Sequence, residues 1–216
     1  MSIDKKKIKA IIFDLDGVII DSEPWQKKAF EKTLNPYGIK LTHEEFAPLI
    51  GIRTIENFIY LKIKYNLKGV PEELTRIKNQ HYQQILENKI KPRKGLLPLL
   101  NQLFNRYILA VASGSIRQDV FQSLALLDLE KYFQSILTGD DIIKGKPDPE
   151  IFIKTSRRIK THPTHCLVLE DSENGIKAAK QAGMLAVALP TPSTVTHDFS
   201  MADLILHDLN ELKTIL

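Results

Sequence analysis

Three short apolar runs constrain what this chain can fold into. They are Ile8-Lys9-Ala10-Ile11-Ile12-Phe13, Ile108-Leu109-Ala110-Val111-Ala112 and Cys166-Leu167-Val168-Leu169. Each is nearly continuous rather than alternating, which is the pattern of a strand buried on both faces of a parallel sheet. Polar or Gly residues follow each run, and then a helical pattern, over residues 25–34, 116–124 and 174–182. Strands alternating with helices predict an α/β fold built on a parallel sheet. Further strands are expected at 135–137, 185–189 and 203–206.

Between the first two runs the pattern changes. Residues 23–91 hold no comparable apolar run, and helices are expected at 42–49, 54–65 and 71–88. Thr42-His43-Glu44-Glu45 fits an N-cap with acidic residues behind it. Pro71-Glu72-Glu73 puts Pro in the first turn, where its missing N–H costs nothing. The return to the sheet would be Lys91-Pro92-Arg93-Lys94-Gly95. The expected organisation is a core from 1–21 and 92–216, with a helical insert at 22–91.

Charge is uneven along the chain. Residues 22–94 hold 14 Lys/Arg against 8 Glu and no Asp, a net of +6, while the remainder nets −2. This is either a solvated Lys-rich helical surface or a region that draws in an anionic substrate. The overall +4 is too mild to argue for nucleic acid. At 43% apolar and 26% charged residues, a disordered chain is excluded. No apolar run approaches the ~18–20 residues of a membrane span. The segment Met1-Ser2-Ile3-Asp4-Lys5-Lys6-Lys7 leads into no signal-like apolar region. The single cysteine, Cys166, forms no internal disulfide and reads as a small core residue, which suits a reducing, cytoplasmic setting. The six histidines have no metal-ligand spacing and are expected on the surface or in loops.

The chemistry-bearing residues sit at the ends of the apolar runs. Asp14-Leu15-Asp16-Gly17 comes after the first, Ser113-Gly114-Ser115 after the second, and Glu170-Asp171-Ser172 ends the third. Ligands of open parallel sheets bind outside the carboxyl ends of the strands, so all three clusters fall on that edge. A fourth group, Gly145-Lys146-Pro147-Asp148-Pro149, holds one Lys in a rigid loop before a helix expected at 150–158. Four carboxylates on one edge repel unless a hard cation joins them, and oxygen-only ligands suit Mg²⁺. Lys146 and Ser113 would supply a charge and a hydroxyl for a phosphoryl group, with backbone N–H groups of Gly114 and Ser115 at a helix start. Taken alone, each cluster is also what a turn or a helix cap looks like; their order, one per element, is what points to phosphoryl chemistry.

Phe-Asp-Leu-Asp-Gly-Val at 13–18, Ser113, Lys146-Pro147-Asp148-Pro149 and Leu-Glu-Asp-Ser at 169–172 resemble, in order, the four motifs of the haloacid dehalogenase superfamily. The insert, with Asp21-Ser22-Glu23-Pro24 before it, is similar to the helical cap of the β-phosphoglucomutase and sugar-phosphate phosphatase subgroup. The resemblance implies that Asp14 is the nucleophile and forms an aspartyl-phosphate. It implies that Asp16 is the general acid–base, and that its main-chain carbonyl, Asp14, Glu170 and Asp171 hold Mg²⁺. Ser113, Gly114 and Lys146 would hold the transferring phosphoryl group. A leaving halide needs no proton, so the second Asp argues against dehalogenation.

The resemblance also suggests substrate-facing residues. Arg53, in Gly51-Ile52-Arg53-Thr54, is similar to a mutase arginine for a second phosphate; Lys78, with Asn79 and Tyr82, resembles another cap segment. Each is equally a solvated helix surface. Arg117 could face the same opening, and Trp25 could stack on a sugar or simply pack. Where β-phosphoglucomutase has a His after the first motif, this chain has Gln26, which cannot titrate. The expectation is a monomeric phosphatase acting on a small phosphorylated metabolite, a sugar phosphate. A β-phosphoglucomutase-type isomerase is the alternative, and a non-catalytic phospholigand-binding module a further one.

Overall fold

The computed structural model describes residues 6–216, so the first five residues of the charged N-terminal segment lie outside the described residues. In chain order, β1 (Ala10–Phe13) is followed by four helices: α1 (Glu23–Leu34), α2 (His43–Phe46), α3 (Thr54–Tyr65) and α4 (Pro71–Lys89). Then come α5 (Leu96–Leu103), β2 (Ile108–Ala112), α6 (Arg117–Leu126), β3 (Ser135–Leu137) and α7 (Glu150–Arg158). The chain continues with β4 (Cys166–Glu170), α8 (Glu173–Gln181), β5 (Leu185–Ala188), β6 (Leu204–Ile205) and α9 (Leu209–Ile215).

The strands form one parallel sheet in the order β3-β2-β1-β4-β5-β6. The chain leaves β1 toward β2 on one side and returns to β4 on the other, so the winding reverses at β1. Side chains alternate between the two faces. Ile11 and Phe13 pack with Leu109, Val111, Leu167 and Leu169, against Leu96, Leu99, Leu100 and Leu103 of α5 and Leu209 and Leu212 of α9. Ala10 and Ile12 face the other way, with Ala110, Val168, Phe152 of α7 and Ile176 of α8. Both faces are covered, which is why these strands read as continuous apolar runs. Burying each large side chain of β1 contributes about 1.5–3 kcal/mol. Cys166 is buried in this core, as its sequence context suggests.

Helices α1–α4 have a small core of their own. Phe30, Leu34, Phe46, Leu49, Phe58 and Leu61 form it, with the Phe30 ring 5.2 Å from Phe58 and 6.0 Å from Phe46. Two strand-like linkers join this unit to the sheet. Ile20 bridges Pro92, and the Arg93 amide donates to Ile19 O. The Arg93 side chain then ties the linkers to the sheet edge, donating to Gly17 O, to Leu189 O at 3.0 Å and to Pro190 O at 3.2 Å.

Candidate active site

Register fixes the first residue of the site. Phe13 is level with Val111 on β2 and Leu169 on β4, and the Asp14 amide donates to Leu169 O at 2.9 Å. Asp14 therefore leaves the sheet beside Glu170, the last residue of β4. The loop before α7, with a cis Lys146–Pro147 bond, carries Lys146 under both. Its Nζ lies 2.7 Å from Asp14 Oδ1, 2.5 Å from Glu170 Oε1 and 3.3 Å from Ala112 O. The other Glu170 oxygen accepts from the Ser172 amide and hydroxyl at 3.0 and 2.9 Å.

All of this is buried. Burial disfavours a charged Lys146, but Asp14 and Glu170 outweigh it and hold its pKa above the usual lysine value. Burial pushes Asp14 up to about 8; Lys146 opposes, while Glu170 and Asp16 add to the rise. Asp171 is raised well above the carboxylate range, first by burial and then by Glu23, Glu170, Asp14 and Asp16.

Three of these carboxylates could hold a metal. Asp14, Glu170 and Asp171 offer oxygens that all lie within 4.8 Å of one another. Asp171 Oδ2 is buried and accepts no hydrogen bond from the described residues, an arrangement that a cation would satisfy. One lysine against three carboxylates also leaves two negative charges, which a divalent cation balances. Close approach is built in: a Cβ on Gly17, whose φ is +73°, would meet Asp171 Oδ2 at 2.0 Å, and one on Gly175 would meet the Glu170 carboxyl at 1.9 Å.

The Asp16 side chain is turned away from that cluster. Its Oδ1 accepts from Ser22 Oγ and from Gln26 Nε2 at 3.1 Å, and its Oδ2 from Ser115 Oγ at 2.7 Å. Behind Gln26 stands Lys78 of α4, which donates to Gln26 Oε1. It packs over the Phe30 and Tyr82 rings at 5.2 and 4.9 Å. Burial lowers its pKa, opposed by Asp119, Asp16 and Glu23.

Asp14, Asp16, Lys146 and Asp171 border one cavity of about 60 Å³, together with Gly114, Ser115, Glu23 and Gln26. Ile50, Ile52, Thr54 and Asn57 of the helical unit close it from the far side. Ser113 is buried and does not line it; its Oγ accepts from the Ser115 amide at 3.1 Å.

Three suggested cationic side chains are not in the cavity. Arg53 is held by Glu56 at 2.5 Å and by the carbonyls of Ile143 at 2.7 Å and Ile142 at 3.3 Å. Arg117 is exposed and paired with Asp141 at 2.5 Å, at a separate surface groove. Lys78 reaches the site only through Gln26. Among the described residues, Lys146 is the one Lys or Arg lining the cavity, so the basic excess of 22–94 lies elsewhere. Trp25 lies at another surface hollow, with Lys89 over its ring at 5.9 Å.

Glu23, the Ser22 and Ser115 hydroxyls, and Asn57 belong to the site without having been singled out from sequence. The Ser22 and Glu23 signal lies in Asp21-Ser22-Glu23-Pro24, where two polar residues prove buried at a helix start.

Comparison with known proteins agrees with this geometry. A model of the family described as haloacid dehalogenase-like hydrolase matches residues 11–189. The phosphorylated carbohydrates phosphatase of Thermotoga maritima is 31% identical over 178 residues, 82% of each chain. The β-phosphoglucomutase of Bacillus subtilis is 34% identical over 194 residues, 84% of this chain and 83% of that one. The crystal structure of CbbY from Rhodobacter sphaeroides in complex with phosphate superposes with a TM-score of 0.85 at 27% identity, covering 95% of this chain and 96% of that one. A parallel sheet wound about β1, a buried Asp–Lys–Glu–Asp cluster at its carboxyl edge and these likenesses together show that the chain belongs to the haloacid dehalogenase-like hydrolases.

Proposed function

We propose that this hydrolase is a Mg²⁺-dependent phosphatase of a small phosphorylated metabolite, a sugar phosphate, and works through an aspartyl-phosphate. The observation that carries this reading is the pair of aspartates on one cavity. Asp14 is paired with Lys146, and Asp16 is held apart from it by three side-chain donors. A reaction that needs one nucleophile and one proton donor uses both.

An Asp14 oxygen attacks phosphorus, and the bond from phosphorus to the leaving oxygen breaks. Asp16 gives its proton to that oxygen. A water molecule then attacks the aspartyl-phosphate, Asp16 takes its proton, and phosphate leaves with Asp14 restored. Lys146, with the Gly114 and Ser115 backbone, positions the transferring oxygens. Asp14, Asp171, Glu170 and the Asp16 main-chain carbonyl would hold Mg²⁺, which when bound supplies the positive charge that brings an anionic phosphoryl group next to carboxylates.

Residues 22–91 act as the cap. Gln83 Nε2 donates to Asp119 Oδ1 at 2.9 Å and the Gly145 amide to Glu56 Oε1 at 3.2 Å, so the unit is docked on the core. The cavity lies between the sheet edge and Ile50, Ile52, Thr54 and Asn57 of this unit. Because these cap residues cover the aspartates, a sugar phosphate enters when the cap lifts.

The test is phosphate release from a panel of sugar and nucleotide monophosphates, with Mg²⁺ and with EDTA. β-Glucose 1-phosphate with a bisphosphate primer is scored alongside for glucose 6-phosphate. Mg²⁺-dependent release supports the phosphatase. Isomer without release would establish the mutase reading, which the Bacillus subtilis relative favours and the non-titrating Gln26 disfavours. Ligand binding without turnover would leave the binding module.

A further inference from the structure

The charges around the cavity restrict what can be attached to the phosphoryl group. Lys146 is the one Lys or Arg lining it among the described residues, and it is engaged by Asp14 and Glu170. Further cations around it are taken: Arg53 by Glu56 and two carbonyls, Lys78 by Gln26 and two aromatic rings, and Arg93 by the carbonyls of Gly17, Leu189 and Pro190. The cavity is otherwise lined by neutral groups, among them Thr54 and Asn57, and by one further carboxylate, Glu23, which stands within electrostatic reach of Asp14, Asp16 and Asp171.

Glu23 is the unexplained member. It is the first residue of α1 and only 4% exposed, yet its side chain has no hydrogen-bond partner among the described residues. The neighbouring Ser22 hydroxyl donates its one proton to Asp16. A buried carboxylate without donors is costly, and the missing donors have to come from what fills the cavity.

We propose that Glu23 is a specificity residue that accepts hydrogen bonds from hydroxyls of the substrate, and that the site takes monophosphates of neutral polyols or sugars and rejects bisphosphates. This rests on the phosphatase reading. A second phosphoryl group in the closed cavity would meet the Glu23 carboxylate and no cation. A hydroxyl would find Glu23 and the neutral side chains of Thr54 and Asn57 on the same cavity. An ammonium group is the competing occupant for a carboxylate, and the experiment separates the two.

The experiment compares kcat/KM, with Mg²⁺, for matched pairs such as glucose 6-phosphate against glucose 1,6-bisphosphate and fructose 1-phosphate against fructose 1,6-bisphosphate. O-Phosphoethanolamine and p-nitrophenyl phosphate complete the set. Monophosphates are expected to exceed their bisphosphates by at least tenfold. Glu23→Ala should lower the ratio of sugar phosphate to p-nitrophenyl phosphate about tenfold, mainly through KM. Glu23→Gln keeps the shape and removes the charge, and should narrow the gap between mono- and bisphosphate. Equal use of bisphosphates, a preference for the ammonium compound, or unchanged ratios in both variants would overturn the proposal while leaving the phosphatase intact. No Mg²⁺-dependent release from any compound, p-nitrophenyl phosphate included, would overturn the phosphatase reading itself.

Discussion

Lys146→Met removes the cation at the centre of the site and replaces it with an apolar chain of similar length. Lys146 is 3% exposed and within 2.7 Å of Asp14 and 2.5 Å of Glu170. Without it, two buried carboxylates face each other and Asp171 stands close by. Breaking a buried pair from one side costs about 3–5 kcal/mol, because the partner left behind is an uncompensated charge. The carboxylates can relieve this only by taking up protons. Asp14 already has a folded-state pKa near 8, against 3.8 as a free side chain. A carboxyl raised in this way stabilises the fold at low pH and costs stability as pH rises through the folded value. Losing Lys146 raises that value further. Urea unfolding followed by circular dichroism in EDTA should therefore show a loss of about 3–5 kcal/mol at pH 8.5 and a smaller one at pH 5. Adding Glu170→Gln to the variant should recover part of the loss. A loss below about 1 kcal/mol at pH 8.5, or one that does not change with pH, would refute the argument that Lys146 compensates these carboxylates.

Asp14→Asn should abolish phosphate release while the thermal transition seen by circular dichroism persists, because the amide fills the same space without being a nucleophile; near-normal turnover would remove the assignment. Gln26→Leu should lower kcat at least tenfold with little change in KM, since it deletes a donor to Asp16 and leaves Ser22 and Ser115 in place; an effect confined to KM would make Gln26 a substrate contact instead. Asp119 is pushed up to about 6, by burial against the opposing pull of Lys78 and the Gln83 hydrogen bond. Its contribution is therefore full below about pH 4 and lost as pH rises through about 6, by up to about 3 kcal/mol. Unfolding free energies at pH 4.5 and pH 7.5 should differ less in Asp119→Asn than in the parent, and an unchanged difference would exclude Asp119 as the source.

How much of this the sequence discloses depends on whether a residue's role is set locally. The runs at β1, β2 and β4 are legible because strands covered on both faces have no polar side to interrupt the pattern. Asp14, Asp16, Glu170 and Asp171 are legible because they come directly after those runs. Helix α5 is not, because Pro98 breaks Leu-Leu-Pro-Leu-Leu; it falls in the first turn, where no N–H is needed. Helix α9 is short and rests on a capping box of Asp208 and Glu211. Side-chain direction is the least legible property. Arg53 lies next to Ile52 and Thr54, which do line the cavity, yet Glu56 and two carbonyls some 90 residues away in sequence take its guanidinium. His197, expected on the surface or in a loop, links two parts of the fold: its Nδ1 accepts from the Glu173 amide, and its Nε2 donates to Ala47 O at 2.9 Å.

The supports of Asp16 explain why a helical insert is placed between the first two motifs. Its carboxylate is held from three places: Ser22 at the linker, Gln26 on α1 and Ser115 in the loop after β2. Two of the three belong to or adjoin the helical unit, and Gln26 is itself backed by Lys78 from α4. In the proposed mechanism the unit lifts to admit substrate; Gln26 and Lys78 would leave with it, and the core contact from Ser115 would stay. The proposed proton donor is thus fully oriented only while the cavity is shut. Water reaching an open site would find Asp14 but a poorly held Asp16, so the same hydrogen bonds that align the acid would restrict turnover to the closed, substrate-filled state.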